Sequence, residues 1–284
     1  MLKIEANPNI DTKKYMFDMW DRMDVPETTK QKYYEHVTED GMYIRNIGIM
    51  KKHIDFVGKK CLDIGCGWGS LTCLLQKEGA EMYAVEPVPE HAQVTANRCP
   101  QAHVFQENAC NLPFIDESFD IVISHSIIEH IDTCGRRGLS VKNDQKQAHL
   151  NEMARVLKIG GRGFLNTGNF VFPLDGEVDK FLFHWMPPKV QNEWLAITGE
   201  SADTYSMLMW PTIKRMIHES GLTIIEVVNP DIECWRPHLE KISGFTPPII
   251  EMILKLIETN PNFMNSWHIL LEKKEKILIS GDEC

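Results

Sequence analysis

Cys61 to Ser70, reading C-L-D-I-G-C-G-W-G-S, is the stretch whose reading decides the fold. Leu62 and Ile64 are apolar strand residues, and after the glycines Leu71, Leu74 and Leu75 recur at helical spacing until Gly79 supplies a stop. The unit expected is a strand, a glycine turn and a helix. Gly65, Gly67 and Gly69 carry no Cβ, so they can take positive φ and let a ligand lie against main-chain N–H groups at a helix N-terminus. The spacing is G-x-G-x-G, and Ser70 stands where a dinucleotide-binding turn would have its third glycine.

Composition sets the outer bounds. The chain has 284 residues, 43% hydrophobic and 25% charged, which suits one large globular domain with elaborations. Its net charge of −10, with no Lys/Arg stripe, argues against nucleic acid as a partner. No run reaches the roughly 18 apolar residues of a membrane span, and M-L-K-I-E-A-N-P-N lacks the apolar core of a signal peptide, so the expected location is cytoplasmic. Cys61, Cys66, Cys73, Cys99, Cys110, Cys134, Cys234 and Cys284 form no C-x-x-C pair, which predicts free thiols and neither a zinc site nor a disulfide framework.

Downstream of the glycine turn, Met82 to Glu86 is a short apolar strand ending in a carboxylate and followed by Pro87. An open α/β nucleotide site places there, about 20 residues past its turn, the acid that accepts from both ribose hydroxyls. A helix from about Pro89 to Arg98 leads to a third strand, Ala102 to Gln106, and then to Glu107, Asn108 and Ala109. Leu112-Pro113-Phe114 and Asp116, Ser118, Phe119 and Asp120 follow. Phe119 to Ser124 is the unbroken apolar run expected of a strand covered on both faces, and it opens into H-S-I-I-E-H-I. Ligands collect at the carboxyl ends of such strands, which directs Ser124 and His125 towards a bound cofactor.

In this order the glycine turn with Asp63 two places before it, the acid Glu86, the Asn108-Ala109 pair and the L-P-F and D-x-S-F-D runs resemble the class I S-adenosylmethionine-dependent methyltransferases of type 11. Glu129 and His130 resemble the E-H pair of the branch containing the ubiquinone-biosynthesis O-methyltransferases. The resemblance covers about residues 58 to 166. It implies S-adenosylmethionine as cofactor, leaving as S-adenosylhomocysteine, and a cofactor site of Asp63, Gly65, Cys66, Gly67, Glu86, Pro87, Asn108, Ala109, Ser124 and His125. Asp63 would lie near the cofactor's ammonium group, and Asn108, standing where the family commonly has Asp, would accept from the adenine amino group. The fold implied is a Rossmann-like, mostly parallel seven-stranded sheet with helices on both faces and a reversed last strand, Trp267 to Glu272, between the fifth and sixth.

Around this core the sequence divides into a helical cap over residues 1–57 and a methyltransferase domain over 58–284, with lid inserts at about 134–146, 168–209 and 229–265. In the cap, Ile44, Ile47, Met50 and Ile54 are spaced to share a helix face, and Tyr33 and Tyr34 either close the site or anchor the cap. Leu150, Met153, Ala154 and Leu157 predict a helix ended by Gly160 and Gly161, with a fifth strand at Arg162 to Asn166. The 168–209 insert, rich in aromatics, holds Asp175, Glu177, His184 and Trp185 as substrate-wall candidates. A capped helix over Thr246 to Glu258 with Ile249, Ile253, Leu256 and Ile257 as its stripe reads as core or lid packing, with a homodimer face or a lipophilic substrate wall as alternatives.

The function this resemblance implies is methylation of a small molecule, at a hydroxyl of a secondary metabolite or a sugar or glycan precursor. N-methylation of a small amine and a non-catalytic sensor or partner subunit are the alternatives, and a dehydrogenase, lacking the third glycine, is the poorest. His125 and His184 are the candidate bases for a hydroxyl, because imidazole titrates near neutrality. Glu129 and His130 also resemble the end of an E-x-x-E-H motif that holds a divalent cation in some methyltransferases. Ser126 replaces its first acid, so catalysis without metal is expected, with Glu129 and His130 supporting the loop or facing the acceptor.

Overall fold

The computed structural model describes residues 2–23, 25–38, 41–133, 137–175, 180–198, 204–228, 236–241, 246–264 and 266–275. The chain starts with β1 (Leu2–Ile4), α1 (Thr12–Arg22), α2 (Glu27–Thr38) and α3 (Gly41–Met50). The central alternation follows as β2 (Lys60–Ile64), α4 (Ser70–Lys77), β3 (Glu81–Val85), α5 (Pro89–Arg98), β4 (His103–Gln106) and β5 (Phe119–His125). Next come β6 (Arg137–Leu139), α6 (Asp144–Val156), β7 (Leu157–Gly168), β8 (Leu174–Asp175), β9 (Lys180–Phe181), α7 (Pro188–Thr198) and β10 (Tyr205–Met207). The chain closes with α8 (Trp210–Glu219), β11 (Leu222–Val228), α9 (Arg236–Glu240), α10 (Pro247–Thr259) and β12 (Ser266–Lys273).

The main sheet has the order β1-β4-β3-β2-β5-β7-β12-β11. From β4 to β7 all neighbours are parallel, and β12 runs antiparallel to both β7 and β11. This is the expected Rossmann-like sheet with its reversed strand in the expected place. The count is eight and not seven, because Leu2–Ile4 of the segment expected to be a purely helical cap pairs antiparallel with β4 and covers its open edge. The chain leaves β2 towards β3 on one side and its continuation reaches β5 on the other, so the crevice where ligands bind in such sheets opens at the carboxyl ends of β2 and β5.

Strand alternation explains the two cores. Leu62 and Ile64 of β2 face one side with Leu150, Met153, Ile213, Met216 and Ile217 of α6 and α8. Cys61 faces the other with Ile47 and Met50 of α3, Leu71, Leu74 and Leu75 of α4, and Ile121, Ile123 and Phe164. The period of two therefore puts Asp63 on the α4 side, buried under the turn. Asp11 caps α1 by accepting from the Lys14 N–H, and α1 lays Met16, Met19 and Trp20 against Val94 of α5.

Several expectations are corrected. Ile47, Met50 and Ile54 are buried, but Ile44 is 57% exposed and Ile54 lies beyond α3. α6 stops at Val156, where Leu157 turns extended and starts β7; Gly160, at φ +75°, sits inside that strand opposite an irregularity at Phe119/Ile121. α10 buries Ile250, Leu254 and Ile257, whereas Ile249 and Leu256 are 36% and 43% exposed, and the Thr246 side chain makes no cap hydrogen bond. That helix is apolar nearly all round at its start, so periodicity alone left its phase open. The loop expected at 134–146 includes β6, which pairs in parallel with β10.

Cys73 and Cys99 are joined as a disulfide, against the expectation of free thiols throughout. Helices α4 and α5 lie side by side on one face of the sheet, which brings the two Cα atoms to 5.3 Å, within bridging range. Cys61, Cys66 and Cys110 are free thiols, and Cys134, Cys234 and Cys284 lie outside the described residues.

Ile123 is fully buried between β2 and β7 against the α3/α4 layer. Ile123→Ala is expected to cost about 2–5 kcal/mol of unfolding free energy in urea titrations, through lost burial plus a residual cavity. A loss under about 1 kcal/mol would show that the helical layer is not packed rigidly on this strand.

Candidate functional site

The site starts from the glycine turn. Gly65, Gly67 and Gly69 have φ of +71°, +51° and +81°. A Cβ on Gly65 would stand 2.2 Å from Ile127, and one on Gly69 would meet Thr95 at 2.9 Å. A Cβ on Gly67 would meet nothing within 4 Å. Gly65 N and Cys66 N both donate to Val85 O, at 2.8 and 3.1 Å, which ties the turn to the end of β3. No side chain caps α4 at Gly69, and Ser70, its first residue, lines the adjoining cavity.

Beside the turn lies a cavity of about 770 Å³. It is walled by Gly65, Cys66, Gly67 and Trp68 of the turn, Glu86, Pro87 and Val88 after β3, and Asn108, Ala109 and Cys110 after β4. His125, Ser126 and Ile127 close it at the end of β5, while Val37 and Tyr43 reach it from α2 and α3. Of the sequence-derived cofactor positions, Asp63 and Ser124 alone are absent from this wall, and both are buried directly beneath it.

Glu86 is buried and accepts from Gly67 N at 3.0 Å through one carboxylate oxygen and from Val88 N at 3.1 Å through the other. Each oxygen keeps lone pairs for a further donor. His91 packs its ring 4.0 Å from that of Trp68, beside Glu86. Asn108 uses its side-chain oxygen in an Asx turn, accepting from Cys110 N at 2.8 Å, and the same oxygen has a second lone pair.

Under the wall is a layer of buried polar groups. Asp63 accepts from Thr72 Oγ1 at 2.6 Å; burial pushes its carboxyl up to about 6, with Glu86 adding to the rise and the Thr72 hydrogen bond opposing it. His149 of α6 bridges two elements of the site, with Nε2 2.8 Å from Ser124 Oγ and Nδ1 3.2 Å from Ala109 O. A carbonyl only accepts, so Nδ1 carries the proton and Nε2 accepts from the serine. Burial lowers this imidazole to about 4.

His125 meets Asn46 Nδ2 at 2.6 Å through Nε2, which accepts from the amide. Burial lowers His125 to about 4, and Tyr43 stands with its ring 5.2 Å away. Tyr43 itself is pushed upward by burial, with Asp63 adding to the rise. Behind His125 the ring of His268 on β12 lies 6.4 Å off, lowered to about 3 by burial and then by its neighbour His125. Asn166 donates to His268 Nε2 at 3.0 Å and accepts from Ser126 Oγ at 2.9 Å, closing the set. Asn46, Tyr43, His149 and His268 were missed in the sequence; the available signal was a polar side chain within an apolar face, as with His149 beside Leu150 and Met153.

The remaining candidates separate. Glu129 is buried and accepts from Thr167 Oγ1 at 2.9 Å, tying the turn after β5 to β7. His130 lines the cavity, with Nδ1 3.3 Å from Thr204 O. His184 does not reach the cavity: it is buried in the insert with Nε2 3.0 Å from Phe170 O, and Trp185, half exposed, donates to the same carbonyl at 2.7 Å. Tyr33 and Tyr34 pack on Trp20 and Phe17, away from the cavity wall, which α2 reaches through Val37 instead. Glu177 and the side chain of Asp175 lie outside the described residues. Among the described residues, no three His, Cys, Asp or Glu side chains gather as a metal site, and no helix is long and apolar enough to cross a membrane.

The buried imidazoles set a pH dependence of stability. Their folded values lie below the ordinary 6.5, so between about 6.5 and 4 the unfolded chain binds more protons and stability falls as pH falls. Each histidine contributes up to about 1.4 kcal/mol per pH unit in that window. Asp63, raised to about 6, acts in the opposite sense from its ordinary 3.8 upward, so single substitutions isolate the effect. His149→Phe is expected to flatten the fall in urea midpoint between pH 7 and 5; an identical slope in the two proteins would show that His149 titrates normally.

Comparison with known proteins accords with this geometry. Residues 62–165 match the family model described as a methyltransferase domain. A ubiquinone biosynthesis O-methyltransferase of Azorhizobium caulinodans is 35% identical over 137 residues, 46% of this chain and 49% of that protein. A demethylmenaquinone methyltransferase of Tropheryma whipplei is 30% identical over 122 residues, 41% and 46% of the two. The matches thus span about half the length of these curated relatives. A solved structure from Pyrococcus horikoshii OT3 superposes with a TM-score of 0.56 at 16% identity, over 86% of this chain and 99% of that one, which is a likeness of fold. Glycine turn, acidic strand end and sheet order converge on the stretch that the family model matches: residues 62–165 are similar to the methyltransferase domain and support a class I S-adenosylmethionine-dependent methyltransferase.

Proposed function

We propose that the cavity binds S-adenosylmethionine and that the protein transfers its methyl group to a hydroxyl of a small molecule, a secondary metabolite or a sugar or glycan precursor. The observation that carries this reading is the convergence of the bare glycine turn, Glu86 and the Asn108 turn on one cavity of about 770 Å³. The open space beside Gly67 leaves room for a ligand against the main chain. Glu86 takes the ribose hydroxyls, Asn108 and Ala109 the adenine, and the glycine turn the methionine portion, with Asp63 supplying negative charge beneath it.

When bound, the cofactor supplies a methyl group already activated by its positive sulfur. What the chain supplies is placement, dryness and a proton acceptor. Val37 and Tyr43 cover the cavity from the cap, and Trp68 with His91 forms a flat wall. His125 is neutral at pH 7 because burial lowers it, so Nε2 has a lone pair, which Asn46 holds in place of an acceptor hydroxyl. A base this weak suffices, because a hydroxyl oxygen turns strongly acidic as it gains a methyl group. Glu129 and His130 hold the turn that follows His125, and no metal takes part.

Substitutions at two positions test the reading. Glu86→Ala is expected to weaken S-adenosylmethionine binding in calorimetry by roughly ten- to a hundredfold, the worth of charge-assisted hydrogen bonds, with Glu86→Gln intermediate. Undiminished affinity in a folded Glu86→Ala protein would remove the carboxylate from the site. For the chemistry, a panel of phenol, sugar and amine acceptors with labelled cofactor identifies a substrate. On a hydroxyl substrate His125→Ala is expected to lower kcat by about a hundredfold or more while cofactor affinity changes little. Transfer to amines alone would overturn the assignment of a hydroxyl acceptor.

A further inference from the structure

The glycine turn is held from one side by a single helix end. Thr95 Oγ1 donates to Gly67 O at 2.6 Å, Arg98 donates to Trp68 O, and Cys99 Sγ lies 3.4 Å from Gly69 O. Three successive carbonyls of the turn thus face three side chains from the last turn and cap of α5. Arg98 also reaches Ser70 Oγ at 3.1 Å, at the first residue of α4. Gly69 packs so closely on Thr95 that a Cβ there would stand at 2.9 Å. The one covalent tie across this contact among the described residues is Cys73–Cys99, linking α4, which the turn opens, to the C-cap of α5, which clasps it.

We propose that Cys73–Cys99 is a site of reversible thiol–disulfide exchange that governs how firmly the glycine turn is held, with a dithiol as reductant and a small-molecule or protein disulfide as oxidant. Cys73 is half-buried and Cys99 fully buried, so the incoming thiolate attacks Cys73 Sγ and Cys99 leaves as thiolate. The second thiol of the reductant then attacks its own sulfur in the mixed disulfide and releases Cys73. Two electrons pass from the dithiol to the pair, each cysteine sulfur takes up one proton, and the reductant departs as a disulfide. Oxidation runs the same steps backwards. The other described thiols stand aside: burial pushes Cys61, Cys66 and Cys110 upward, which keeps them as unreactive thiols at neutral pH.

In the reduced chain Cys99 gains an S–H that can donate to Gly69 O, a weak bond in place of a covalent tie between helices. Thr95 and Arg98 keep their contacts, so the turn loosens and does not unfold. A looser turn must be ordered when a ligand binds, which lowers affinity. This consequence rests on reading the cavity as the S-adenosylmethionine site; the exchange and its effect on the turn do not.

The test uses the full chain equilibrated in oxidised and reduced dithiothreitol, with three measurements. Differential alkylation with mass spectrometry is expected to show Cys73 and Cys99 protected together in oxidant and labelled together in reductant, reversibly and without denaturant; a pair that never forms, or cannot be reduced in the folded protein, overturns the proposal. Hydrogen exchange without cofactor is expected to be faster across residues 65–70 in the reduced chain, with Tm lower by about 5 °C. Equal exchange in both states also overturns it. Calorimetry is expected to show S-adenosylmethionine binding about threefold or more weaker in the reduced chain, and Cys73→Ser in either buffer to match the reduced wild type. Equal affinity in the two states overturns the coupling to the site. Absence of binding in both states would refute the cofactor reading and leave the first two measurements to decide the exchange.

Discussion

The close approach of bare backbone at Gly65–Gly69 is the constraint on which the rest of the site depends. Between β2 and α4 the main chain passes within contact distance of Ile127 from the β5 side and Thr95 from α5, with room for no Cβ at either point. The turn then needs its polar groups satisfied, and its neighbours do this from several directions. Val85 O takes two of its N–H groups, Glu86 takes a third, and Thr95 and Arg98 serve its carbonyls. A left-handed segment this crowded persists only because the surrounding elements over-determine it.

Beneath that turn lies a layer of polar side chains withdrawn from water and paired with one another. Asp63 with Thr72, Ser124 with His149, Asn46 with His125, and Asn166 with His268 each join a strand end to a different neighbour. Burial disfavours the charged forms, so the imidazoles are neutral at pH 7 and Asp63 titrates unusually high. An unpaired buried polar group costs about 1–3 kcal/mol, so this layer fixes the relative positions of α3, α6 and β12 under the cavity. The neutrality of His125 is thus a property of its packing.

The insert between β7 and α8 is organised around itself. His184 and Trp185 both converge on the carbonyl of Phe170, and Gln191 of α7 donates to the carbonyls of Phe183 and Met186. Among the described residues it is tied to the rest by the pairing of β10 with β6, by Asn169 donating to the carbonyls of Asn262 and Met264, and by Gln191 donating to that of Arg137. Two aromatic side chains that look in sequence like a substrate wall, His184 and Trp185, are thus held by packing within the insert.

The sheet was legible because its signals are local. Apolar runs of strand length, glycines at stops and turns, and the acid at the end of β3 lie within a few residues of the structures they specify, and the order of β-strands follows from the family resemblance they carry. The positions of Gly65, Gly67, Glu86, Asn108 and His125 on one wall were within reach for the same reason: each marks the carboxyl end of a parallel strand. The strand made by Leu2–Ile4, the pairing of Cys73 with Cys99, the contact of Asn46 with His125 and the confinement of His184 were not. Each of these depends on which residues from distant parts of the chain meet when helices settle on the sheet, and periodicity gives a residue's face without naming its neighbour across the gap. Sequence alone determined the sheet, the turn and the kind of ligand the strand ends suit; tertiary packing decided which side chains reach the cavity and which are sealed beneath it, because desolvation and pairing act only once the layers have closed.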